Sequence, residues 1–206
     1  IMIKIFTTGG TFDKSYNHIN GQLFFEKTHI PEMIKRSKCN LKINVETIVM
    51  KDSLDLTKKD ILKIVSACEK ETSSHIIITH GTDTMTRTAE HIANRNLTKK
   101  TIILTGAMIP YAFGSSSDGF FNLGCALSFV QTLKPGVYIT MQGEYFYWNQ
   151  VKKNLNKGLF SSQTKQYINN FIKTQDKDID LIEIHNRPNY ALQLEKIKKK
   201  LILYFH

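Results

Sequence analysis

The chain has 206 residues, with 28 Lys and Arg against 18 Asp and Glu for a formal charge of +10, a length that suits one α/β domain plus a smaller appendage and crowds out two full domains. At 41% hydrophobic and 22% charged residues, with 4 prolines and 11 glycines, it is neither a disordered nor a fibrous sequence. The basic excess is spread, 20 against 13 over residues 1–163 and 8 against 5 over 164–206, and without an aromatic RNA-binding signature or a basic arm it reads as solvated surface, not as a nucleic-acid face.

A short apolar, β-rich run at residues 3–6 predicts a first strand, which runs into Thr7-Thr8-Gly9-Gly10-Thr11. A helical pattern covers 31–38, and a second strand at 43–49 leads into Lys51-Asp52-Ser53-Leu54-Asp55. Residues 57–71 predict a helix with Ile61, Ile64, Val65 and Cys68 on one face. A third strand at 75–79 is followed by His80-Gly81-Thr82-Asp83-Thr84 and a helix over 83–94. A fourth at 101–105 precedes Gly106-Ala107-Met108-Ile109-Pro110 and a helix over 119–133, and a fifth at 136–141 ends in Gln142-Gly143-Glu144.

This alternation predicts an α/β fold: a three-layer parallel sheet of the Rossmann or flavodoxin kind, with helices on both faces. The strands are apolar, while hydroxyls, carboxylates and glycines gather just after their carboxyl ends. In open parallel sheets that is the ligand-binding edge.

Cys39, Cys68 and Cys125 are odd in number, far apart, and lack CxxC spacing, so they read as buried or idle thiols of a reducing compartment. No apolar run reaches the roughly 18 residues of a membrane span, and the N-terminus has no signal-peptide pattern. A cytoplasmic location without membrane contact is expected. HExxH, GxGxxG and GxxxxGK are missing, so neither a metal nor an organic cofactor is expected.

A nucleophilic hydroxyl needs backbone donors for an oxyanion, a base for its proton, and a backbone free of Cβ crowding. Gly9 and Gly10 supply the last and leave Thr11 exposed past the strand; the same dipeptide with threonine caps also occurs as a plain turn. In "HGTDTMTRTA" Thr82 or Asp83 can cap a helix, but capping takes one such residue and the segment offers several.

Together "TTGGTFDK", "HGTDTMTRTA", "ILTGAMIP" and "SSSDGFFNLGCAL" resemble, in this order, the N-terminal amidohydrolase domain of the asparaginase family, over about residues 2–163. On that resemblance Thr11 matches the nucleophilic threonine, and Thr82 and Asp83 match the second threonine and the catalytic aspartate. Lys153 in "QVKKNLNKGLFSS" matches their paired lysine, with Lys152 the alternative if the register slips by one. Tyr16 is similar to the tyrosine of the family's mobile lid, with a packed loop aromatic as the alternative, and Ser53 resembles the substrate-binding serine. A lysine made neutral by burial could draw a proton through Thr82 while Asp83 orients the relay or holds the substrate's ammonium. Amides near Gly10 and Gly81 could stabilise an oxyanion. The reaction implied is hydrolysis of a small side-chain amide, such as L-asparagine to L-aspartate and ammonia, through a threonine acyl-enzyme and in a homo-oligomer.

His80 stands where the family has a non-catalytic residue, Asp118 reads as a helix cap, and Gly106 as a turn residue. Two features depart from the family. Full-length members exceed about 300 residues, with a C-terminal domain that completes the site across a subunit interface and supplies an acidic contact to the substrate's amino group, and no counterpart of it is expected in this chain. Leu54 stands where a polar residue usually touches the substrate. A shorter version of the family resembles the N-terminal domain alone, and "TFDKSYN" is similar to its pattern.

Residues 164–206 form a C-terminal extension in this reading. Within it, 178–206 resemble a fragment of a family 4 type glycosyltransferase, with strand, helix and strand at 181–185, 190–199 and 201–205. The start at Ile1 and the end at His206 suggest a fragmentary or fused frame; a β-α-β add-on packed on the first domain is the alternative. Besides the hydrolase, the sequence leaves open a catalytically silent small-ligand domain of the same fold, or a part of a glycosyltransferase-containing protein.

Overall fold

The structure, a computed structural model, describes residues 1–163. In chain order these form β1 (Met2–Gly9), β2 (Lys14–Asn17), β3 (Gln22–Phe25), α1 (Ile30–Arg36), β4 (Lys42–Lys51), α2 (Lys58–Lys70) and β5 (His75–Thr79). There follow α3 (Met85–Ala93), β6 (Thr101–Thr105), α4 (Gly119–Thr132), β7 (Gly136–Met141), β8 (Glu144–Tyr147), β9 (Val151–Asn154) and β10 (Leu159–Ser162). One sheet has the order β4-β1-β5-β6-β7-β8; its first five strands are parallel and β8 returns antiparallel at the edge. Hairpins β2–β3 and β9–β10 stand apart from it.

The expected α/β parallel sheet is the one formed, and β5, β6 and β7 coincide end to end with the predicted runs. They read as continuous apolar stretches because both faces are covered. Ile76, Ile78, Ile102 and Leu104 pack with Ile61 and Ile64 of α2 and Met85 and Ile92 of α3. On the other face Ile3, Ile5, Ile77 and Ile103 meet Met33 of α1 and Leu123 and Ala126 of α4.

β1 runs three residues beyond its predicted end because its polar terminus is satisfied inside the sheet. Thr7 pairs in register with Thr47 and Thr79, Thr79 with Thr105, and Thr105 with Thr140, a row of threonines across the five parallel strands. Thr7 and Thr47 share a hydroxyl hydrogen bond of 2.8 Å, Thr8 Oγ1 donates to Thr79 O at 2.8 Å, and Thr105 Oγ1 donates to Thr140 O at 2.9 Å. Bonds of this kind let threonine replace an aliphatic residue at a buried strand end.

Two features of the connections place the site. From β1 the chain passes outward to β4 on one side and returns across to β5 on the other, so the crevice opens between the carboxyl ends of β1 and β5. The steps β5–α3–β6 and β6–α4–β7 advance in the same direction, yet α3 and α4 lie on opposite faces. The crossovers through α1, α2 and α3 share one hand, and β6–α4–β7 has the other, against the usual right-handed rule. This reversal sets the first turn of α4 over the ends of β6 and β7.

Candidate active site

The loops after β1, β4, β5 and β6 touch at backbone level. Gly10 sits at φ 70° and ψ −172°, a conformation that glycine alone adopts readily, and its amide donates to Lys51 O at 2.8 Å. A Cβ on Gly10 would fall on the Gly81 backbone, one on Gly81 would come 2.7 Å from Ser53 Oγ, and one on Gly106 would come 2.5 Å from His80 O. Gly106 is therefore required by close approach of two loops, a reason beyond the turn expected of it.

Thr11 and Thr82 directly follow the two glycines in contact. Lys153 reaches Thr82 from β9: its Nζ donates to Thr82 Oγ1 at 2.7 Å and to Asp83 Oδ1 at 2.6 Å. The lysine side chain is 11% exposed and Thr82 is buried. Lys152 is exposed, as the alternation of a strand requires of the residue next to Lys153. Neither Thr82 nor Asp83 caps α3; that position belongs to Thr84, whose hydroxyl donates to Ser53 O at 2.9 Å.

Ser53 is buried and its Oγ has no hydrogen-bond partner among the described residues. Leu54 beside it is exposed. The turn is fixed from both ends. Asp52 Oδ1 accepts from the Leu54 amide at 3.1 Å, and Lys51 pairs at 2.8 Å with Asp60, which forms a capping box with Thr57 at the start of α2. Thr11 is half-buried in a 3-10 turn, Thr11–Asp13, and its hydroxyl makes no hydrogen bond among the described residues. Tyr16 stands apart on β2, half exposed opposite Leu23, its ring centroid 6.1 Å from that of Phe113.

His80 is fully buried, with Nδ1 2.7 Å from Gly81 O and Nε2 2.8 Å from Thr88 Oγ1. A carbonyl only accepts, so Nδ1 carries the hydrogen and Nε2 accepts from the threonine. Burial lowers its pKa to about 4. With both nitrogens occupied, the ring is a neutral strut between β5 and α3.

Asp118 takes the N-cap position of α4 expected of it, but its side chain makes no capping bond; it accepts from the Met108 and Ile109 amides, each at 2.9 Å, and from Asn122 Nδ2 at 2.9 Å. Asn122 in turn donates to Gly106 O at 2.9 Å and accepts from the Gln142 amide at 3.0 Å. The reversed crossover thus uses α4 to tie down the loops after β6 and β7.

Sequence reasoning missed Asn122 and also Asp13, a wholly buried carboxylate two residues after Thr11. Asp13 Oδ1 accepts from Thr28 Oγ1 at 3.0 Å and from the His29 amide at 2.9 Å. Burial pushes its carboxyl up to about 6. The one local signal was an acidic residue directly after a core phenylalanine; its partners lie about fifteen residues on, beyond any helical or strand period.

Among the described residues no three His, Cys, Asp or Glu side chains are grouped to hold a metal ion. The cysteines are unpaired, and burial pushes the Cys68 thiol up to about 12. A cavity of about 650 Å³ is lined by α2 and α3 residues such as Ile61, Val65, Arg87 and His91, none of them in the centre described above.

A flavodoxin-type sheet thus carries at its switch point a threonine, an aspartate and a largely buried lysine in hydrogen-bond contact, with a second threonine following the glycine that touches their loop. The family model for asparaginase, N-terminal, matches residues 2–183, and the chain belongs to the asparaginase family. It is 28% identical over 218 residues to the probable periplasmic L-asparaginase of Haemophilus influenzae, covering 98% of this chain and 62% of that protein. The thermostable L-asparaginase from Thermococcus kodakarensis superposes with a TM-score of 0.67 at 27% identity, over 79% of this chain and 51% of that one. A probable cytoplasmic L-asparaginase from Campylobacter jejuni gives a TM-score of 0.65 at 28% identity, over 78% and 52%. The chain thus spans about half the length of these solved relatives. The family match runs past residue 163 and overlaps the beginning of segment 178–206; the expected β-α-β extension and its glycosyltransferase likeness lie outside the described residues.

Proposed function

We propose that this chain is an asparaginase-like amidohydrolase that cleaves a small side-chain amide, L-asparagine or a close relative, with Thr11 as nucleophile. The observation that carries this reading is the largely buried Lys153 Nζ shared between Thr82 Oγ1 and Asp83 Oδ1, beside a glycine contact that presents Thr11. Thr11 Oγ1 attacks the amide carbon, its proton passes to the leaving nitrogen, ammonia departs, and water cleaves the resulting ester. With Lys153 donating to Thr82, the threonine hydrogen is free to point at the reacting centre, so the pair can hand a proton to the leaving amine. That proton is replaced in the same step, since Thr82 Oγ1 accepts the one Thr11 gives up on attack, and the relay is left as it began.

Gly10, Ser53 and Gly81 form the binding side of this proposal. The Gly10 amide itself is taken by Lys51 O, so the donors for an oxyanion are amides next to the two glycines, and the unpartnered Ser53 hydroxyl is suited to a polar substrate group. Tyr16, on its hairpin, serves as a lid residue that meets substrate only on closure. Exposed Leu54 makes the preference for asparagine over related amides the weakest part of the specificity. We also propose a homo-oligomer, a cytoplasmic location, and a division into residues 1–163 and an extension 164–206. The relatives' names point both to cytoplasm and to periplasm, and no helix of the described residues is long and apolar enough to cross a membrane.

Ammonia release by the purified full chain, supplied in turn with L-asparagine, L-glutamine and other short amides, tests the proposal. Activity on one of them that is lost in Thr11→Ala, with the circular dichroism melt unchanged, supports it. A folded chain inert towards all of them contradicts it.

A further inference from the structure

The turn that carries Thr11 is fixed by the two residues after it, and they are buried in different surroundings. Phe12 enters the apolar core with Ile30 and Met33, while Asp13, equally buried, turns to polar partners at the start of α1. Asp13 Oδ1 takes both hydrogen bonds, one from the Thr28 hydroxyl and one from the His29 amide, and Oδ2 has no partner among the described residues. Between Asp13 and Thr28 the chain makes the whole β2–β3 hairpin, so these two bonds close its base. Lys14 adds an ion pair with Asp52, next to Ser53, and Ser15 Oγ lies 3.3 Å from His29 Nε2.

No ion pair reaches Asp13 among the described residues: Lys14 is paired with Asp52, Arg36 with Glu32, and neither Lys27 nor Glu26 forms one. The carboxylate acts through its two hydrogen bonds, not as half of a charge pair.

We propose that Asp13 is a positioning residue: it latches the turn bearing Thr11 to the start of α1, shuts the base of the β2–β3 hairpin, and so sets the direction of the Thr11 hydroxyl. The catalytic half of this inference rests on the reading of Thr11 as nucleophile; the latch itself does not. A displacement of about 1 Å at a reacting group can cost two orders of magnitude in rate, which makes this latch consequential without any contact to substrate.

The test uses the full chain with Asp13→Ala, Asp13→Asn and Thr28→Val. In Asp13→Ala, kcat for ammonia release falls about 10- to 100-fold with KM changed less than about threefold. Asp13→Asn keeps an oxygen acceptor without the charge and recovers kcat to within about fivefold. Exchange of the His29 amide quickens about tenfold in Asp13→Ala and in Thr28→Val, the latter being the readout if the alanine variant does not fold. Wild-type kcat and unchanged His29 exchange in a folded Asp13→Ala or Thr28→Val overturn the proposal, as does equal loss of kcat in the alanine and asparagine variants. If the wild-type chain releases no ammonia, the hydrolase reading fails alone, and His29 exchange in the same variants still decides for or against the latch.

Discussion

Replacing His80 by asparagine removes a buried titration whose size follows from its surroundings. Burial holds the imidazole at about 4, against an ordinary value of 6.5. The folded-state value is the depressed one, so above pH 6.5 the ring is neutral in both states and has no effect. As pH falls from 6.5 towards 4 only the unfolded chain takes the proton, and stability drops by about 1.4 kcal/mol per pH unit, about 3 kcal/mol in all and about 2 kcal/mol between pH 7.5 and 5.

Asp13 has the opposite sign. Its carboxyl is raised to about 6 from 3.8, so the unfolded chain gives up the proton first and stability is lost as pH rises through that interval. Between pH 5 and 7.5 this amounts to about 1.4 kcal/mol. The two groups therefore partly offset each other in the wild-type protein, so its own pH profile understates each. His80→Asn keeps a donor for Gly81 O but no ring to titrate. In urea unfolding at the two pH values, the stability of this variant relative to wild type should improve by about 2 kcal/mol on going from pH 7.5 to 5. A difference that stays constant would refute a buried neutral imidazole.

Gly10→Ala sets a methyl group on the Gly81 backbone at a φ of 70°, and should cost at least about 2 kcal/mol, read as a fall in Tm of about 4 °C or more; an unchanged melt would mean that the loops after β1 and β5 do not touch. Lys153→Met should lower kcat for ammonia release by about 10³-fold with KM little changed, whereas Lys152→Met should remain within about twofold of wild type. Equal losses in the two variants would contradict the register that aims Lys153 at Thr82.

The sheet was legible because strands β5, β6 and β7, covered on both faces, are written as uninterrupted apolar runs with turn residues at each end. β1 reads short because Thr7 and Thr8 look like loop residues until the threonines of neighbouring strands are known. Hairpins β2–β3 and β9–β10 lie outside the main sheet, so they carry no two-sided apolar pattern, and Lys153 was reachable only through a motif. The hand of β6–α4–β7 is likewise unwritten in any local period. It depends on which face α4 covers, which explains why Asp118 and Asn122, read as helix residues, turn out to hold loops. Asp13 and His80 were the hardest to read: burial and partners distant in sequence give each its character, and neither can be seen from a residue's neighbours along the chain.

Acid quenching of the full chain during turnover, with an asparagine analogue carrying a better side-chain leaving group, followed by peptide mass mapping, examines the attacking hydroxyl directly. The account predicts an acyl group on the peptide containing Thr11, missing in Thr11→Ala and accumulating when Lys153→Met slows its hydrolysis. An adduct on a different residue, or ammonia released by a chain that never carries one, would contradict it.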